Sequence, residues 1–94
     1  MEEGLNLNEI RNNINETDKE IVELLEKRFN LVIKIGQYKI INNLPVLDEK
    51  REEIVIEKCK EQLKNKMYSN YIEEIYMQIM DTCKKLQENE IKKI

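Results

Sequence analysis

Three arginines, Arg11, Arg28 and Arg51, stand against thirteen lysines in this chain of 94 residues. Where only positive charge is needed the sequence uses Lys. An Arg kept against that bias points to what a guanidinium does alone, gripping a carboxylate or phosphate with two parallel hydrogen bonds. Arg28 falls in register with an apolar stripe, where a cation is costly unless paired. Lys39 lies eleven residues later, which sets it on the same side of a helix, roughly 16 Å along the axis. Arg11 precedes Arg28 by seventeen residues, a rotation of roughly 100°, so it suits the equivalent pocket of a second copy better than Arg28's own. Arg51 and Glu52 fall in the first turn of another helix, where free N–H groups favour anions. Asp48 is that helix's candidate cap. Gln87, one turn after Cys83 on an apolar stripe, needs a partner from the protein or from a ligand. Together these groups suit a compact, doubly anionic ligand in a cavity between helices. The plainer alternatives are structural salt bridges, an Asp48 that only caps, and a Lys39 that reaches solvent.

Other chemistry is bounded by what the chain lacks. It has no histidine, which removes Ser-His and Cys-His nucleophile pairs. Gly4 and Gly36 stand alone, so there is no glycine-rich phosphate loop. Cys59 and Cys83 form no metal motif, and the usual zinc-ligand sets need His. The expectation is no metal and no cofactor, with both cysteines acting as small apolar residues in a reducing cytoplasm. A net charge of −3 without a basic tract argues against nucleic-acid binding. No run approaches a membrane span. The acidic start, MEEGLNLNEI, has no apolar segment of a secretion signal.

The elements that must position these residues are helices. Two glycines and one proline disfavour a strand-rich fold, and Ile, Leu, Lys and Glu dominate. The reading is one all-α domain, 1–94, with three helices. The first starts at Asn6 or Asn8 and runs to about Asn42. Leu7, Ile10, Ile14, Thr17, Ile21, Leu24, Arg28, Leu31, Ile35 and Tyr38 follow alternating steps of three and four, a bundle seam. Gly36 inside it costs about 1 kcal/mol relative to Ala, offset by close approach of another backbone or a ligand, or by plain packing. Asn42, Asn43 and Pro45 break the pattern. The second helix runs from Asp48 to near Lys64, and Asn65 to Asn70 connects. The third is capped by Ser69 or Asn70, with Glu73 placed for a capping box, and ENEIKKI frays. At 1.5 Å per residue the first helix is roughly 50 Å long and the others roughly 25–35 Å. Much of the long seam would stay uncovered in a monomer, which predicts an intertwined homodimeric helical bundle; the alternative is a monomer whose first helix bends, with Gly36 the candidate position.

Arg11, Arg28, Lys39, the segment Asp48-Glu49-Lys50-Arg51-Glu52, and Gln87 resemble the site of the all-helical (AroQ-class) chorismate mutases. The resemblance runs from about Leu7 to Gln87 and includes Ile35-Gly36-Gln37-Tyr38-Lys39 and the Pro45-Val46 turn. It implies a homodimer with two sites and an isomerase of the shikimate pathway, converting chorismate to prephenate for phenylalanine and tyrosine synthesis. By the resemblance, Arg28 and the other copy's Arg11 bind the two carboxylates. Lys39 and Gln87 hydrogen-bond the ether oxygen. Glu52 and the Asp48 backbone hold the ring hydroxyl, and Arg51 lines the site. Cys83 is a departure, since the family often carries a small hydroxyl residue there and a thiol is a weaker donor. A Claisen rearrangement is unimolecular and needs only a held chair-like geometry and positive charge at the breaking C–O bond. A site of Arg, Lys and Gln suits it. The alternatives are an isochorismate-pyruvate lyase on the same scaffold and a noncatalytic helical dimerisation or regulatory module.

Overall fold

The computed structural model describes residues 6–46 and 48–91. It is all-helical: α1 is Leu7–Ile41, α2 is Glu49–Gln62 and α3 is Ser69–Ile91, with one 3-10 turn, Lys66–Tyr68, leading into α3. The long N-terminal helix is thus as expected, at 35 residues. Among the described residues no helix is long and apolar enough to cross a membrane. The chain divides into two compact units, Met1–Leu31 and Val32–Ile94.

In the first unit, Asn6 rather than Asn8 caps α1. Its Oδ1 accepts from the N–H groups of Asn8 at 2.8 Å and Glu9 at 3.4 Å, while Asn8 lies inside the helix. Thr17 does not interrupt the seam with an unsatisfied hydroxyl. Its Oγ1 donates to the Asn13 carbonyl at 2.8 Å, a bond within its own helix. The apolar seam is open, with Leu7, Ile10, Ile14, Ile21 and Leu24 all exposed.

In the second unit, α1 ends in two nested bonds. Leu44 N–H donates to the Lys39 carbonyl at 2.7 Å and Asn43 N–H to the Ile40 carbonyl at 3.2 Å. Asn43 has a φ of 56°, the left-handed cap that this closure requires. After glycine, Asn tolerates that conformation best, because its short polar side chain can hydrogen-bond locally. Asn43→Ala is therefore expected to lower stability by about 1 kcal/mol and Asn43→Gly to hold or raise it. Thermal melts of the two variants check this.

Asp48 caps α2, its Oδ1 accepting from Arg51 N–H at 3.0 Å. The helix stops at Gln62, two residues short of the expectation. Lys66 explains the stop: its ammonium donates to the carbonyls of Lys60 at 2.9 Å and Glu61 at 2.7 Å, satisfying groups that a helix end leaves open. The expected capping of α3 is overturned. Ser69 and Asn70 are already inside α3, and Asn65 takes the capping role one turn earlier, accepting from Met67 N–H at 2.9 Å. Glu73 is drawn to Lys60 of α2, 2.5 Å away, rather than back to Asn70. Helix α3 continues through Ile91, so the first four residues of ENEIKKI are helical; the last three lie outside the described residues.

Helices α2 and α3 pack together, tied by Lys60–Glu73 and by Lys84–Glu52. The hydrogen bond to Glu73 raises the Lys60 pKa against the opposing effect of burial, with the charges of Glu73 and Glu57 adding to the rise. A raised lysine stabilises the fold below its ordinary pKa, and that contribution is lost as pH climbs through the folded value. Among the described residues the most buried are Met80, Cys83 and Gln87, on one face of α3, and Gly36 on α1. Val32, Ile33 and Lys39 beside it are half-buried. Ile35 and Tyr38 of the apolar seam are 50% and 61% exposed. This chain thus covers a face of α1 rotated away from the seam.

Candidate active site

Gln87 finds its partner in the protein. Its Nε2 donates to the carbonyl of Val32 at 2.9 Å, with only 9% of the residue exposed. Gly36, one turn beyond Val32, is buried. The two residues lie on one face of α1. An amide nitrogen carries two hydrogens. One serves Val32 and the second is available to a ligand oxygen. Cys83, one turn earlier on α3, is 5% exposed, so its thiol belongs to the same buried face.

Lys39 does not reach out to solvent. Its Nζ donates to the Val46 carbonyl at 3.1 Å, and the side chain is half-buried. The nested closure at Asn43 turns the chain so that Val46 lies within reach. An ammonium has three N–H bonds, so the loop anchors the group while leaving donors. Lys39 follows Val32 by seven residues, which places it on the same face of α1, about 10 Å farther on. An oxygen between Lys39 and Gln87 would meet a cation and an amide N–H.

Glu52 is half-buried, and its Oε1 sits 2.7 Å from the Lys84 ammonium. Asp48 and Arg51 are exposed, and the Asp48 carboxylate is engaged as a cap. Lys39, Asp48, Arg51, Glu52, Cys83 and Gln87 all belong to the second unit. Arg11 and Arg28 belong to the first, where Arg11 is exposed and Arg28 half-buried.

A cleft between α2 and α3 is lined by Glu49, Glu52, Glu53, Ile56, Met77, Met80 and Asp81. Four carboxylates line it, so a cation beside Glu52 lowers their mutual repulsion. Sequence reasoning missed Lys84, which stands at Glu52. It was hidden in a Lys84-Lys85 pair that reads as solvated surface. The signal was available in Glu52 itself, an acid assigned to a site and left without a counter-ion. It also missed the Val32 and Val46 carbonyls, since backbone acceptors carry no mark in a sequence.

The arrangement offers fixed donors for a developing negative charge, and among the described residues no group of three or more His, Cys, Asp or Glu could hold a metal. A family model, Chorismate mutase type II, matches residues 10–88. The chain is 43% identical over 72 residues to a bifunctional chorismate mutase/prephenate dehydratase of Buchnera aphidicola subsp. Schizaphis graminum (strain Sg), covering 76% of this chain and 19% of that protein. It is 39% identical over 88 residues to the protein of the same description from Buchnera aphidicola subsp. Acyrthosiphon pisum (strain APS), covering 88% and 22%. The one from Aquifex aeolicus (strain VF5) is 33% identical over 86 residues, covering 86% and 24%. The chain spans about a fifth to a quarter of the length of these relatives.

Proposed function

This chain belongs to the chorismate mutase type II family, and from that membership we propose that it catalyses the rearrangement of chorismate to prephenate, acting as one domain over 1–94. The observation that carries the reading is the family match over residues 10–88, which spans every residue assigned to the site. Incubating the purified chain with chorismate, following the loss of its ultraviolet absorption and identifying the product tests it. Prephenate is expected; pyruvate release or an unchanged substrate would count against it.

The reaction breaks a C–O bond and forms a C–C bond within one molecule, with no proton to move. The protein's task is to hold the substrate in its reactive chair and to stabilise charge on the ether oxygen. We assign that oxygen to Lys39 and the spare N–H of Gln87. The two substrate carboxylates go to Arg28 and to Arg11 of the partner subunit. The ring hydroxyl goes to Glu52 and the backbone at Asp48. Arg51 lines the site, and Cys83 stands near a carboxylate, where its thiol gives a weaker contact than a hydroxyl. A homodimer is supported by the exposed apolar seam of α1, from Leu7 to Tyr38, which is more apolar surface than a monomer ordinarily leaves open. A cytoplasmic setting suits two cysteines that form no disulfide.

The rearrangement moves no proton, so no step requires a side chain to change its protonation state. The chain has no histidine, Arg and Lys side chains ordinarily stay charged near neutrality, and Gln does not ionise. The kcat is therefore expected to be nearly flat from about pH 6 to 9. A bell-shaped profile centred near neutrality, traced to the chemical step, would contradict the scheme.

A further inference from the structure

We propose that Lys84 is a positioning residue, holding the Glu52 carboxylate so that its second oxygen accepts the ring hydroxyl of the substrate. The inference rests on the mutase reading and deepens it. Glu52 shares its cleft with Glu49, Glu53 and Asp81, like charges that would push a free carboxylate toward solvent. Lys84 counters them. Its ammonium lies 2.7 Å from Glu52 Oε1 and 3.8 Å from Asp81 Oδ1, so it is placed between an acid of α2 and an acid of its own helix. A carboxylate has two oxygens; with Oε1 committed to Lys84, Oε2 is left to accept a hydroxyl.

The backbone that carries Lys84 is itself fixed. The residue lies directly after Cys83 and three before Gln87, both buried at 5% and 9% exposure. The turn of α3 that supplies the ether-oxygen donor thereby also supplies the lysine that orients Glu52. Hydrogen bonding to Glu52 raises the Lys84 pKa despite the opposing effect of burial, with the charges of Glu52, Asp81 and Glu49 adding to the rise. The lysine therefore stays charged through the neutral range. The pair is partly exposed, at 33% and 26% of the two side chains, and pairs of that kind contribute little to stability. Orientation is what it has to offer.

The test is steady-state kinetics of the full chain as wild type, Lys84→Met and Lys84→Arg, with chorismate and with a chorismate analogue lacking the ring hydroxyl. Methionine keeps the apolar stem and removes the charge. Lys84→Met is expected to raise KM for chorismate about tenfold, the equivalent of losing one ordinary hydrogen bond, with little change in kcat or Tm. Lys84→Arg restores the KM. On the analogue, wild type and Lys84→Met should behave alike, because the group that Glu52 serves is gone. A loss of equal size on both compounds would show a merely structural role and overturn the assignment, as would an unchanged KM for chorismate. A wild-type chain that turns over neither compound overturns the mutase reading itself and this assignment with it.

Discussion

Lys39→Ala is expected to lower kcat by at least about 10²-fold, the scale of removing one preorganised electrostatic donor from a developing oxyanion. Lys39 is held before substrate arrives: its Nζ donates to the Val46 carbonyl at 3.1 Å, and the nested closure at Asn43 and Leu44 sets the loop that carries Val46. A donor fixed in advance need not reorganise when charge moves to the ether oxygen, which is why its loss should appear in kcat rather than only in KM. The fold should survive. Alanine is the best helix former, and the bond lost to Val46 is worth about 1 kcal/mol. Circular dichroism should show unchanged helicity beside the kinetic loss. A well-folded variant with near-normal kcat would remove Lys39 from the mechanism.

The parts of this structure that were legible in the sequence are those decided locally. Asp48 before Glu49-Lys50-Arg51-Glu52 reads as a cap because its carboxylate needs only the N–H three residues on, and it caps. Asn42, Asn43 and Pro45 mark the end of α1 because one residue there must turn left-handed, and Asn43 does. Gly36 and Gln87 each looked out of place on its own helix; Gln87 reaches the Val32 carbonyl, one turn from Gly36. What failed was decided by a neighbour across space. Glu73 has capping-box spacing from Asn70, yet Lys60 on another helix takes its carboxylate. Lys84 sits in a charge pair that spacing assigns to solvent, yet Glu52 holds it. The α1 seam is the subtler case. A three-four repeat says that a face must be covered without saying by which chain. Here Val32, Gly36 and Lys39 are turned inward while Ile35 and Tyr38 remain open.

That open face leads to the last expectation, that Arg11→Ala and Lys39→Ala chains, each nearly inactive alone, recover activity when unfolded together in equal amounts and refolded. Arg11 is exposed on α1, and the offset of seventeen positions from Arg28 rotates it by roughly 100° around the helix. The apolar positions on either side of it, Leu7, Ile10 and Ile14, are exposed as well, as a surface meant for a second copy would be. In a mixed dimer, one site receives Lys39 from the first chain and Arg11 from the second, both intact, while the other site carries both lesions. Random pairing makes about half of the dimers mixed, so about one quarter of all sites should be restored in a symmetric two-site dimer. Had Arg11 served the site of its own chain, every site would carry one lesion and mixing would restore nothing. The measured fraction therefore separates the two arrangements without a structure of the complex. Mixed dimers proven by mass spectrometry but no more active than either parent would rule out Arg11 crossing between subunits.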